Sequence, residues 1–260
     1  MITSCTHPHD RPHDRPIAPF RVADRLRQIA EVMHRAALIL VLCASPSSYT
    51  TSCRREAARQ ICLAALRPLV AFTLLWTLVS LVLIRIVMVT AQSYGLSAFA
   101  LEMVIRVLVV ELIPLFAALA IGLRPSADPT AATHATAWLG NAWRESVVAR
   151  SVAAATAVMA LATISGAITL LTAYLNAFGF SLWGLGDFTR SVGQVFNLAT
   201  TLGFLGKTVL FSLTVGMLPP ALAMVRRADT AASGRRVSDL AAMLLLLVMI
   251  ETIALSAQYV

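Results

Sequence analysis

The chain has 260 residues, 58% hydrophobic and 13% charged, with a mean hydropathy of +0.77. A soluble domain carries roughly 25% charged residues, so this composition excludes an ordinary soluble fold and reads as an all-α integral membrane protein. The net charge of +8 is arginine-borne, with Lys207 the only lysine; the arginines flank apolar stretches without interleaved aromatics, which excludes a nucleic-acid-binding role.

Residues 1–20, "MITSCTHPHDRPHDRPIAPF", are rich in His, Pro, Asp and Arg and have no apolar period, which predicts a disordered tail. From Arg21 the pattern changes. Val22, Leu26, Ile29, Met33, Ala36 and Leu40 follow at spacings of four and three, while Arg21, Asp24, Arg25, Arg27, Glu31 and Arg35 take the other side. The apolar run ending this segment is only about ten residues, too short to cross a bilayer. An amphipathic helix lying in the membrane interface is expected. The stretch from Met33, "MHRAALILVLCASPSS", imitates a secretory signal. Its upstream residues belong to the same helical pattern, and Leu42 precedes Cys43 where a lipoprotein site needs a small residue, so no cleavage is expected. "CRREAARQICLAALR" (53–67) reads as a second short basic helix. Residues 21–67 thus form an interfacial segment ahead of a membrane domain at 68–260.

Five spans follow, at about 68–91, 98–123, 147–175, 202–225 and 237–258. Pro68 suits the first turn of span one. Span three sets Ala153 with Ala157 and Ala162 with Gly166 four apart, the spacing for close helix contact. Span four is interrupted by Gly203, Gly206, Gly216 and Pro219-Pro220. Between spans three and four, "NAFGFSLWGLGDFTRSVGQVF" suits a short element at the outer interface. Arginine sets the orientation. Eight arginines from Arg21 to Arg67 precede span one; Arg124, Arg144 and Arg150 follow span two, and Arg226, Arg227, Arg235 and Arg236 follow span four. The alternate segments hold only Arg190. The positive-inside rule predicts an N-in, C-out topology. The cysteines, Cys5, Cys43, Cys53 and Cys62, show no metal or redox spacing and are expected to be reduced.

Charges inside the spans raise the functional question, because an ionisable group at membrane depth needs a partner, a wet cavity or a task. Span two carries Glu102, Arg106 and Glu111; the others are Arg85 in span one, Lys207 near the outer end of span four and Glu251 in span five. Glu102 and Arg106, four apart, are expected to pair. Glu111 falls roughly 180° from Glu102 at 100° per residue. Pro114 withholds an amide from the carbonyl of Val110 and invites a bend beside Glu111. Two readings stand: a cavity for a lipid headgroup, with Arg85, Arg106 or Lys207 meeting its phosphate, or structural ion pairs and snorkelling side chains.

Motif order narrows the choice. Glu111, Leu112 and Pro114 form an acidic-Leu-x-Pro motif, closed by Gly122 and Arg124; Lys207 precedes Phe211 by four; Gly234-Arg235 precedes span five, which holds Glu251. In this order and topology the chain resembles the MlaE (YrbE) family, permease subunits of ABC transporters that move lipid between membranes with MCE-domain partners. The resemblance runs from about residue 21 to 260. It implies a multi-pass protein of the bacterial inner membrane that dimerises with a like or unlike protomer. It also implies partnership with an ABC ATPase and a periplasmic MCE protein, and no cofactor of its own. Arg124, Trp143, Arg144 and Glu145 are the implied candidates for ATPase coupling. The family has a longer acidic coupling helix here, whereas 125–148, "PSADPTAATHATAWLGNAWRESVV", holds only Asp128 and Glu145 as acids. A divergent permease, a non-driving half of a heterodimer and a scaffold that has lost coupling are all compatible with that loop. An ion channel using Glu102, Glu111 and Glu251 is a third class. No phosphate-binding glycine loop is present, so ATP hydrolysis is expected in another subunit. No Ser/His/Asp or metal constellation marks an enzyme, and His134 is a lone loop histidine.

Overall fold

A computed structural model describes residues 22–45, 51–124, 141–225 and 233–259, and every element among them is helical. The order is α1 (Val22–Ala44), α2 (Thr51–Ser93), α3 (Ser97–Ile105), a π-helical segment (Arg106–Leu112) and α4 (Ile113–Gly122). There follow α5 (Asn141–Phe178), a 3₁₀ turn (Leu182–Gly184), α6 (Leu185–Val195), α7 (Leu198–Val225) and α8 (Ser233–Tyr259). Five stretches are long and apolar enough to cross a membrane: Ala57–Ser93, Phe99–Gly122, Ser146–Phe178, Leu198–Leu222 and Asp239–Ala257. They overlap the five expected spans, the first of them beginning at Ala57 and not at about residue 68. The tail 1–20 and the loops 125–140 and 226–232 lie outside the described residues.

The N-terminal part departs from expectation in two ways. Residues 53–67 are not a separate helix: α2 runs unbroken from Thr51 to Ser93 with Pro68 in its interior. The helix tolerates the lost amide because hydrogen bonds on either side of Pro68 carry it through the apolar run. On α1 the stripe packed against the bundle is Val32, Ala36, Ile39 and Cys43, with Ile39 buried against Met217 and Ala221 of α7. Ile29, Met33 and Leu40 of the expected apolar face are exposed instead. The helix therefore shows one apolar stripe to the protein and a neighbouring one outward.

The core is built around α5. Ala153, Ala157, Ala162 and Gly166 are all buried, which lets neighbouring backbones approach. A Cβ built on Gly166 would stand 3.6 Å from Val109 Cγ1 of the π segment. On the α2 side, buried Trp76 donates its indole N–H to Thr169 Oγ1 at 2.9 Å, and Thr169 donates in turn to the Ser165 carbonyl at 2.8 Å. On the α7 side, a Cβ on Gly216 would lie 2.7 Å from the Ser151 carbonyl oxygen. Only glycine permits that approach. Gly179, at φ +66°, ends α5 in the left-handed conformation that favours glycine. Beyond it, α6 buries Phe188 and Val195, and Phe188 meets Tyr174 and Phe178 edge-on at 5.2 and 6.3 Å.

Candidate functional site

Span two does not stay α-helical. Over Arg106–Leu112 it widens to π geometry, and the Ile113 amide reaches back five residues to the Leu108 carbonyl. Pro114 follows at once and cannot donate, so the wider turn accommodates its ring beside the preceding carbonyls. The widening turns Glu111, only 6% exposed, toward α7 and α8.

There it meets Lys207. The Lys207 ammonium donates to Glu111 Oε2 and, at 2.7 Å, to Glu251 Oε1, joining the π segment, α7 and α8 through one nitrogen. Lys207 is 2% exposed, so the side chain expected near an outer span end is instead a buried linker. It stands nine residues past the start of α7, roughly 14 Å along the axis at 1.5 Å per residue. A buried ammonium with two carboxylates offsets its desolvation through short contacts, provided the geometry holds. The remaining carboxylate oxygens, Glu111 Oε1 and Glu251 Oε2, are buried and have no hydrogen-bond donor.

A cavity of about 600 Å³ opens beside this triad. Arg106, Asn197, Thr200 and Lys207 supply its polar lining, and Ala199, Gly203, Leu210, Ile250, Ile253, Ala254 and Ala257 the rest. The α7 wall follows from sequence spacing: Thr200, Gly203, Lys207 and Leu210 recur at three and four residues, one face of a helix. Asn197 begins that helix, its side-chain oxygen accepting the Thr200 amide at 2.8 Å.

Of the six in-span candidates, Glu111, Lys207 and Glu251 come together, and Arg106 joins Lys207 at the cavity wall. Two do not join. Arg85 is exposed on α2 and absent from the cavity lining. Glu102 is half-buried and absent from the cavity lining. Sequence reasoning did not single out Asn197, Thr200 and the α8 wall; the helical spacing of Asn197, Thr200, Gly203 and Lys207, and of Ile250, Ile253, Ala254 and Ala257 among themselves, was the available signal.

The coupling candidates stand apart from this cavity. Arg124 is the last described residue before 125–140, and Asp128 and His134 fall outside the described residues. Trp143, Arg144 and Glu145 occupy the start of α5. No curated protein matches the chain. A family model described as Permease MlaE matches residues 138–258, a stretch holding Lys207, Phe211 and Glu251 but not Glu111.

Proposed function

We propose that the chain, whose residues 138–258 match the Permease MlaE family model, is a membrane permease of ABC-type lipid transport and carries phospholipid through the cavity between its π segment, α7 and α8. The observation carrying this reading is that cavity: about 600 Å³, mostly apolar, with Arg106, Asn197 and Thr200 at its wall. Arg106, at the cavity wall, is the cation assigned to the headgroup phosphate. The apolar lining takes acyl chain. Residues flanking 125–140, namely Arg124, Trp143, Arg144 and Glu145, are assigned to docking of a separate ABC ATPase. A periplasmic MCE-domain protein receives or delivers the lipid, and a second permease protomer completes the membrane unit in the bacterial inner membrane. The exposed stripe of α1, Ile29, Met33 and Leu40, lies in the interface, with its arginines toward anionic headgroups.

One isolation tests this. The wild type, R106Q and R85Q are purified in mild detergent from the native host, and bound phospholipid and co-isolated proteins are measured. A charged hydrogen bond to phosphate is worth about 1.5–3 kcal/mol, so R106Q is expected to lose roughly ten-fold or more in lipid affinity. R85Q is expected to retain lipid, and all three to bring down an ATPase and an MCE protein. Equal lipid in R106Q and wild type overturns the headgroup assignment. Isolation of the chain alone overturns the transporter assignment and favours a scaffold that has lost coupling.

A further inference from the structure

The triad is unbalanced. Two carboxylates and one ammonium sum to −1, held where Glu111 is 94% and Lys207 98% buried. An uncompensated charge in such a setting is costly. The hydrogen-bond inventory has a matching gap. Glu111 Oε1 and Glu251 Oε2 are both buried acceptors without a donor. Their partner oxygens converge on one nitrogen, so the two carboxyl groups stand side by side on the Lys207 ammonium.

One hydrogen removes both deficits. We propose that Glu111 and Glu251 share a single proton between Oε1 of the first and Oε2 of the second, making the triad a neutral one-proton site within the membrane. The proton supplies the missing donor and cancels the excess charge, leaving one carboxylate for Lys207 and one carboxylic acid. On release the proton passes to water in the adjoining cavity, and the wall beside Arg106 changes from neutral to −1.

Other titratable groups do not substitute for it. The π segment also carries Arg106, which faces the cavity, and α3 carries half-buried Glu102. No titratable residue occurs in α4, and those of α5, Arg144, Glu145, Arg150 and Tyr174, lie toward its two ends. In α8, Asp239 lies near the helix start, three turns before Glu251. The assignment goes beyond the lipid reading and stands on the triad alone.

Infrared difference spectroscopy of the full chain in liposomes tests it, because a protonated carboxylic acid has a carbonyl stretch that a carboxylate lacks. Wild type at neutral pH is expected to show that band and to lose it on alkalinisation. E111Q and E251Q, each leaving one carboxylate opposite Lys207, are each expected to lack it. No band in the wild type overturns the proposal, as does a band persisting in either variant. If one variant fails to fold, the other decides. Lipid binding does not enter the readout, so failure here and failure of the transport reading are separate results.

Discussion

Lys207 and Gly216 stand nine residues apart on α7, about 180° around a helix of 3.6 residues per turn, and they meet their neighbours by opposite means. Gly216 brings α7 against α5 so closely that any Cβ would strike the Ser151 carbonyl. Lys207 brings α7 to the π segment and α8 through charge, beside a cavity. Small-residue contact suits helix association in lipid, where there is no hydrophobic drive between helices and close dispersion contact supplies the attraction. Buried charge does not suit stability: an apolar replacement of similar volume is often equal or better. The difference separates the face that holds the bundle from the face kept for a task.

The largest break in that contrast is expected from Lys207→Met. It strips two buried carboxyl groups of their shared ammonium, and breaking a buried pair costs about 3–5 kcal/mol. Thermal unfolding in mild detergent measures the loss. The triple variant E111Q/K207M/E251Q removes the orphaned charges as well and is expected to recover most of it. A K207M midpoint equal to wild type would mean the triad is solvated and the contrast false. If the triple variant stays as unstable as K207M, packing rather than charge sets the cost.

A smaller effect is expected on the opposite face. Gly216→Ala pushes a methyl against backbone 2.7 Å away, and overpacking of this kind costs about 1–3 kcal/mol. Gly122→Ala sharpens the comparison. Its new Cβ clashes with the Met243 thioether end, which is flexible and can move aside, and meets Val215 Cγ2 at an ordinary 3.7 Å. The two variants, unfolded under the same detergent, should differ by most of the G216A effect. Equal midpoints would show that the α5–α7 seam yields as a body.

These two faces were unequally legible in the sequence. The five spans followed from apolar length, and the buried run Ala153, Ala157, Ala162 and Gly166 followed from a four-residue spacing. Both are local, regular signals. The triad is neither: Glu111, Lys207 and Glu251 lie 96 and 44 residues apart in sequence, so composition supplied candidates but not partners. Pro114 pointed to a disturbance beside Glu111, yet not to a π turn, because a missing amide allows a kink, a bulge or a wider turn alike. Arg85 lies away from this cavity for a simpler reason. Span one is apolar all round, and hydropathy alone cannot tell which side of such a helix faces the bundle. On α1 the periodicity found a real apolar stripe, but α7 packs on the stripe beside it.

The smallest effect lies in the seam between α2 and α5. Trp76→Phe keeps a ring between Phe72 and Phe116, whose centroids stand 6.2 and 5.3 Å from the indole, and removes only the N–H donated to Thr169. A neutral hydrogen bond contributes about 0.5–1.5 kcal/mol, and inter-helix bonds in membranes average about 0.6. Thr169 still donates to the Ser165 carbonyl, so no hydroxyl hydrogen is orphaned and the loss should stay near the lower value. Its use lies in combination with Lys207→Met. Trp76 and the triad share no hydrogen-bond partner, and independent sites add to within about 0.5 kcal/mol. One link between them is span two, where Phe116 stands two residues past Pro114 and Glu111 three before it. If W76F/K207M equals the sum of the single variants, the π segment uncouples the charged corner from the seam that holds the bundle. A larger loss would mean that span two moves as one piece, with the triad bearing on the same packing as the tryptophan.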